Sequence, residues 1–224
     1  MRGILLTALL AFATAVEAAA DPGQPQPPQM RFVPPAPGSY TLQVIQRVPD
    51  AVLLDVADRA RPLREFTRGR VTLLTFFYTY CTDPWGCPYA YGLMTGLRER
   101  LLARNDAANR VRFVSISFDP THDTPEALQR YAGTTRGDKR LPWELLTARS
   151  VADLLPLLDD FGQDVRVERD PAGRPLRTIN HMLKLFLIDT AGRVREIYAL
   201  DFLHPEMLMN DIETLLMEAH ARER

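Results

Sequence analysis

The chain has 224 residues, 46% of them hydrophobic, and a formal net charge of -1 at pH 7. This near-neutral balance, without a block of like charge, gives no support for nucleic acid or an anionic membrane surface as the partner. The sequence contains two cysteines, Cys81 and Cys87. They are the strongest indication of chemistry in the chain.

The N-terminus has the pattern of a secretory signal. A basic start precedes the uncharged stretch Ile4–Val16, and small residues follow at Ala18–Ala20. We predict a signal peptide over 1–20, a proline-rich disordered leader over 21–39 and one domain over 40–224. The apolar stretch is shorter than the roughly 20 residues that cross a bilayer, so cleavage is favoured over a membrane anchor. No cysteine lies near the cleavage region, which excludes a lipid-anchored lipoprotein. We expect an exported, periplasmic, soluble protein without a membrane span after cleavage.

The first part of the domain has a β-like pattern. Within residues 40–48, apolar side chains stand at alternate positions, as at Leu42, Val44 and Val48, and Val52–Asp55 is a short apolar run. Asp58–Pro62 predicts a turn, and Leu63–Phe66 predicts a brief return to strand. The apolar segment Val71–Tyr78 predicts a strand that is buried on both faces, as in the middle of an α/β sheet.

Helices and strands alternate after this strand. Proline near a helix start and a capping Asp123 or Thr124 mark two helix beginnings. Pro156 is expected to kink or shorten the helix that contains it. The predicted elements are a helix from about Pro88, a strand at Val111–Phe118, helices from Pro125 and over 150–161, strands at Leu183–Ile188 and Val194–Tyr198 around the turn Asp189–Gly192, and a final helix at Pro205–His220. This order predicts a thioredoxin-like α/β sandwich with added N-terminal strands.

The two cysteines lie where the strong strand gives way to a helix. A helix N-terminus presents unpaired N–H groups and a partial positive charge, which favour thiolate over thiol. The helix start makes Cys87 a candidate for the thiol of lower pKa, whereas Cys81 is less enclosed by the loop, and the sequence does not decide between them. Thiolates carry out redox chemistry and bind soft metals. In an oxidising compartment the pair can also be a structural disulfide.

Three segments together resemble the Sco/SenC family, the copper-binding proteins of cytochrome c oxidase assembly. They are Phe76–Cys81 with Cys87-Pro88, Val114–Glu126, and Asn180-His181 ahead of Leu185–Asp189. We expect His181 in the loop just before this last strand. The resemblance implies a thioredoxin-like fold and one copper ion, Cu(I) or Cu(II), held by Cys81, Cys87 and His181. Two thiolates and an imidazole suit copper, and the soft sulfurs favour Cu(I). The implied partner is the copper-site subunit of a respiratory oxidase or another copper protein.

One feature departs from the family pattern, which has three residues between the cysteines. This chain has five, Thr82–Gly86, giving an atypical Cys-x5-Cys-Pro motif. A longer loop brings the sulfurs together only if it folds back on itself. Within it, Trp85 is a candidate for shielding the site or for docking, with packing in the core as the alternative. The charge of Asp83 is expected to oppose thiolate formation.

Other polar side chains receive structural interpretations. His122 is expected to be solvated, with extra ligation as the alternative, and His204 is expected at the surface. Met182, beside His181, is expected to pack under the following strand rather than to bind metal. Asp119 and Asp123 are expected to hold turn and cap hydrogen bonds.

Three functions follow from these observations. The first is an exported copper chaperone that delivers copper to an oxidase copper centre. The second is a thiol-disulfide oxidoreductase in which Cys81 and Cys87 are the catalytic redox pair and a thiol reductant is a further partner. The third is a binding module with a structural disulfide. The long spacing, and the absence of proline from Thr178–Met182, argue against a general dithiol reductase.

Overall fold

The computed structural model describes residues 32–104, 106–133 and 139–224. The predicted signal peptide and most of the predicted leader therefore lie outside the described residues. Residues 32–39, at the end of that leader, form no helix or strand. They are nevertheless fixed to the C-terminal helix, because the Gly38 N–H donates to Thr214 Oγ1 at 3.0 Å and Asn210 Nδ2 donates to the Pro35 carbonyl at 2.9 Å.

Helices and a mixed sheet make up the domain. The strands are β1 (Gln46–Arg47), β2 (Val52–Asp55), β3 (Ala60–Pro62), β4 (Val71–Phe77), β5 (Val111–Ser117), β6 (Trp143–Thr147), β7 (Val165–Arg169), β8 (Pro175–His181), β9 (Lys184–Ile188) and β10 (Arg193–Ala199). The helices are α1 (Arg64–Thr67), α2 (Cys87–Leu102), α3 (Pro125–Ala132), α4 (Val151–Asp160) and α5 (Pro205–Arg222). In the described part of the chain, eight strands form one sheet in the order β1-β10-β9-β4-β5-β6-β2-β3, and β7 pairs with β8 in a separate sheet.

The centre of the large sheet is its most buried part. All seven residues of β4 are buried, and β4 pairs in parallel with β5 and antiparallel with β9. This burial explains why the segment is apolar apart from Thr72 and Thr75, since a strand covered on both faces needs no polar alternation. Strands and helices in this arrangement confirm the predicted α/β sandwich.

The predicted helix starts agree with the caps. Thr124, rather than Asp123, caps α3, and its Oγ1 accepts from the Ala127 N–H at 3.3 Å. Ser150 caps α4 in the same way. Pro156 lies inside α4 without ending it.

The N-terminal region differs from the prediction in two places. The β-like pattern of 40–48 forms strand only at Gln46–Arg47, and the strand expected at Leu63–Phe66 is wrong, because the chain forms α1 there. The turn expected at Asp58–Pro62 is shorter than predicted. Asp58 adopts a φ of 58°, so the chain reverses early and Ala60–Pro62 pairs with β2.

The β7–β8 hairpin has no counterpart in the predicted elements. Its strands are mostly exposed and rich in arginine, so they lack the apolar alternation by which strands are recognised. As a consequence, the expected loop position of His181 is wrong. His181 is the last residue of β8 and pairs with Val165.

Candidate metal centre

The five-residue loop between the cysteines folds back on itself. Cys81 follows β4, and Cys87 is the first residue of α2. Between them, the Gly86 N–H donates to the Asp83 carbonyl at 3.0 Å, and the Trp85 N–H donates to Asp83 Oδ1 at 3.0 Å. Proline at the second position and an aspartate at the first position are typical of such a turn. The two additional residues are therefore taken up in a closed turn.

Gly86 allows the Cys81 sulfur to lie against the start of α2. A Cβ atom on Gly86 would lie 3.3 Å from Cys81 Sγ and 3.4 Å from the Asp83 carbonyl oxygen. That spacing is tighter than most Cβ contacts, so any larger residue pushes the sulfur or the turn away. The absence of a side chain at Gly86 thus allows the Cys81 sulfur to lie close to the backbone.

The two thiols have opposite electrostatic surroundings. A hydrogen bond from the Cys87 thiol, together with backbone N–H groups of Cys87 and Asp83 and the Tyr78 hydroxyl, lowers the pKa of Cys81 to about 5 in spite of its partial burial. Donation to Cys81, burial and the nearby Cys81 charge raise the pKa of Cys87. Cys81 is therefore a thiolate at neutral pH, and Cys87 is a buried thiol that donates to it.

This result decides a choice that the sequence leaves open. Cys81, rather than Cys87, has the lower pKa, because the Cys87 side chain turns into the core while the backbone N–H groups of Cys87 and Asp83 donate to the Cys81 sulfur. The Asp83 carboxylate accepts the Trp85 N–H within the turn, and the Asp83 backbone N–H stabilises the thiolate. The repulsion expected from the Asp83 charge stays a prediction.

His181 presents a ring nitrogen to the cysteine pair. Its Nδ1–H donates to the Ile179 carbonyl at 2.9 Å, and its Nε2 lies 3.9 Å from Cys87 Sγ. Because Nδ1 carries the proton, Nε2 has a free lone pair, which is the form in which imidazole binds metals. Edge contacts with Phe118 at 4.7 Å and Tyr78 at 5.8 Å between ring centroids fix the ring plane.

The spacing between Cys87 and His181 is close to what a shared metal ion requires. Bonds of about 2.3 Å to sulfur and about 2.0 Å to nitrogen, at trigonal or tetrahedral angles, hold the ligand atoms roughly 3.5 to 3.7 Å apart. The observed 3.9 Å exceeds this by a few tenths of an ångström. Within the described ranges, no three His, Cys, Asp or Glu side chains already form a complete metal cluster. Ligation at this site therefore needs a small contraction and loss of the Cys87 proton.

Two buried carboxylates support the loop that leads to Cys81. Asp123 is fully buried, accepts the Thr79 N–H at 3.0 Å and receives hydrogen bonds from the hydroxyls of Thr79 and Ser117. Asp119 accepts from the Tyr80 hydroxyl and from the Thr121 N–H. These bonds confirm the structural role expected for both aspartates.

The remaining predicted residues divide into exposed and buried positions. His122 is half exposed, and its Nδ1 lies 2.7 Å from Asp119 Oδ2. Trp85 is exposed beside the site, with its ring 5.9 Å from the ring of Tyr89. Two expectations are wrong: Met182 is 60% exposed instead of packed under the strand, and His204 is buried instead of at the surface.

The sequence analysis missed Tyr78 as part of the site. Its ring is buried against His181, and its hydroxyl bonds to the Cys81 sulfur. Burial and this bond to Cys81 raise the pKa of Tyr78 far above its ordinary value. The available signal was its position three residues before Cys81 at the end of a buried strand, where a polar hydroxyl needs a partner.

Comparison with known proteins decides the family. A sequence model of the SCO1/SenC family matches residues 52–217, most of the chain. The chain belongs to the SCO1/SenC family. The Sco/SenC resemblance of the three sequence segments is thereby confirmed, and the family comprises copper-binding cytochrome c oxidase assembly proteins.

Individual relatives are distant. The SCO1 protein homolog of Bacillus subtilis (strain 168) is 29% identical over 137 residues, which cover 60% of this chain and 64% of that protein. The structure of ScoI from Bradyrhizobium japonicum with copper bound has a TM-score of 0.59 at 24% identity, over 75% of this chain and 99% of that one. BsSco, a member of the Sco family of cytochrome c oxidase assembly proteins in which a disulfide switch was identified, has a TM-score of 0.60 at 22% identity, over 79% and 98%. These solved structures establish the shared fold.

None of the helices in the described part of the chain has the length and apolar character needed to cross a membrane.

Proposed function

We propose that this SCO1/SenC protein is an exported copper chaperone. It binds one copper ion through Cys81, Cys87 and His181 and delivers the ion to the copper centre of a respiratory oxidase. The predicted signal peptide supports a periplasmic location, and the recipient is the copper-site subunit of the oxidase or another copper protein. The observation that carries the proposal is the direction of the His181 ring, which holds Nε2 3.9 Å from Cys87 Sγ while Nδ1 is engaged by the Ile179 carbonyl.

The arrangement of the two thiols suits uptake and release of Cu(I). The Cys81 thiolate exists before copper arrives, so the first bond requires no deprotonation. When copper binds between the two sulfurs, it replaces the hydrogen bond from Cys87 to Cys81, and the Cys87 thiol loses its proton. Copper binding therefore releases about one proton per chain near neutral pH. Three soft or borderline ligands leave the ion open to an incoming ligand of the recipient, which permits transfer by ligand exchange.

Competition titration with a coloured Cu(I) chelator tests the proposal on the reduced mature protein. We expect one copper ion per chain, and His181→Ala should weaken the affinity by at least about tenfold, since loss even of a residue that only supports a ligand costs that much. His220→Ala is the matched control, because His220 is an exposed histidine on α5. The absence of stoichiometric copper, or equal affinities of His181→Ala and the unmodified protein, would contradict the assignment.

A second candidate is a thiol-disulfide oxidoreductase with Cys81 and Cys87 as the redox pair. The observation that favours it is the low pKa of the partly exposed Cys81 beside a second thiol. A thiolate of this kind attacks a partner's disulfide, and the neighbouring thiol resolves the mixed disulfide. Trapping mixed disulfides with Cys87→Ala tests this role. Rapid exchange with a partner dithiol supports it, whereas a very negative potential without exchange rules it out.

A further inference from the structure

Besides the candidate metal centre, the protein has a concave surface on the far side of the aromatic residues that surround His181. It is a groove of about 510 Å³ between α4 and the β7–β8 hairpin. Four of its apolar side chains are exposed by 44% to 50%: Val151, Leu155, Val167 and Leu176. Clustered exposed apolar side chains of this kind mark interaction sites more often than scattered ones do.

The groove shares its wall with the candidate metal centre. Phe118 lines the groove, and its ring centroid lies 4.7 Å from that of His181. Ile179 also lines the groove, and its carbonyl accepts the Nδ1–H of His181. One layer of side chains therefore separates an occupant of the groove from the imidazole that faces Cys87.

One end of the groove carries a positive charge. The Arg177 guanidinium lies 4.6 Å from the centroid of the Tyr80 ring, and among the described residues no carboxylate forms a salt bridge with it. The acidic side chain among the described lining residues, Asp119, is already engaged by Tyr80, His122 and Thr121. The cation at this end is therefore available to a carboxylate from outside.

The walls of the groove give the length of its occupant. Along α4, the span from Val151 to Leu158 is about 10 Å at 1.5 Å per residue. Along β8, the span from Pro175 to Ile179 is about 14 Å at 3.4 Å per residue. An extended chain of three or four residues fills such a groove.

We propose that this groove docks an extended apolar segment, with a carboxylate placed to meet Arg177, of the protein that receives the copper. The inference rests on the proposed function, because the occupant is the recipient in copper transfer. Docking there holds the recipient against the wall of the metal centre. The groove supplies recognition, and the thiols and imidazole supply the exchange.

Charge variants at the groove test the proposal against the purified soluble copper domain of the oxidase subunit. Val167→Glu and Leu176→Glu should each slow the second-order transfer of copper by about tenfold or more, while the copper affinity of the chain stays the same. Leu176→Lys should slow transfer less than Leu176→Glu, since it keeps attraction to an acidic segment. Val44→Glu is the matched control, because Val44 and Val167 are both 49% exposed.

Binding of the metal-free chain to the same domain, measured by calorimetry, separates this inference from the proposed function. If the unmodified chain binds the domain but carries no copper, the proposed function fails, and weaker binding of Val167→Glu still supports the groove. Equal effects of Val167→Glu and Val44→Glu on binding would overturn the groove assignment. So would the absence of any binding between the unmodified metal-free chain and the domain.

Discussion

Removal of the Cys87 thiol should raise the pKa of Cys81 by an amount that the structure allows us to work out. The hydrogen bond from Cys87 is the largest contribution to the low pKa of Cys81. A hydrogen bond to a charged acceptor contributes about 1.5 to 3 kcal/mol, and one pKa unit corresponds to about 1.4 kcal/mol. Cys81 is partly exposed, so water replaces part of the lost bond and the lower end applies. We expect the pKa of about 5 to rise to roughly 6 in Cys87→Ala.

The thiolate absorbance in the ultraviolet, followed against pH in the reduced protein, measures this shift. In the unmodified protein the transition below pH 8 belongs to Cys81, since burial and donation raise the pKa of Cys87. The backbone N–H groups of Cys87 and Asp83 remain in Cys87→Ala, so the pKa stays below the ordinary value for a thiol. Cys81→Ala is the control and should show no transition in this range.

Two results would refute the reasoning. A transition in Cys87→Ala at the same pH as in the unmodified protein would show that the Cys87 thiol does not stabilise the Cys81 thiolate. A transition of the unmodified protein near the ordinary thiol value of about 8.5 would show that the Cys87 thiol and the backbone N–H groups of Cys87 and Asp83 do not stabilise the Cys81 thiolate.

Three further changes test other parts of the account. Gly86→Ala should weaken copper affinity in a chelator titration while the protein stays folded, because the new Cβ lies 3.3 Å from Cys81 Sγ. Asp123→Ala should lower the free energy of unfolding by about 3 kcal/mol or more in denaturant titrations, since the buried hydroxyl of Ser117 and the partly buried N–H and hydroxyl of Thr79 lose their acceptor. Burial raises the pKa of Asp211 in the folded protein above its value of about 4 in the unfolded chain. The protonated carboxyl therefore stabilises the fold below about pH 4, and this stabilisation is lost as the pH rises through the pKa of the folded protein. Asp211→Asn should therefore flatten the fall in unfolding free energy above pH 4, and an unchanged slope would contradict this assignment.

The central fold was predictable because buried strands are rich in apolar residues and helix starts carry capping residues, and both features can be read from the sequence. β4 is mostly apolar, β5 has apolar residues at four of its seven positions, and Thr124 and Ser150 are standard helix caps. The β7–β8 hairpin leaves no such trace, since its side chains face solvent and its arginines obscure the strand pattern. Recognition of the family motif nevertheless located His181 without knowledge of the strand that carries it.

The chemistry of the site was only partly predictable. Sequence position makes Cys87, at a helix start, a candidate for the thiol of lower pKa, but it does not decide between Cys87 and Cys81. The direction of each side chain decides the outcome: Cys87 turns into the core, and the loop folds Cys81 back onto the backbone N–H groups of Asp83 and Cys87. The role of Tyr78 depends on the same fold-back, because its hydroxyl meets a sulfur that the turn has placed there.

X-ray absorption of the copper-loaded, reduced protein tests the central claim most directly. The account predicts two sulfur ligands and one nitrogen ligand around a single copper ion, and His181→Ala should remove the nitrogen while both sulfurs remain. A copper ion without a nitrogen ligand in the unmodified protein would contradict it, as would a nitrogen ligand that persists in His181→Ala.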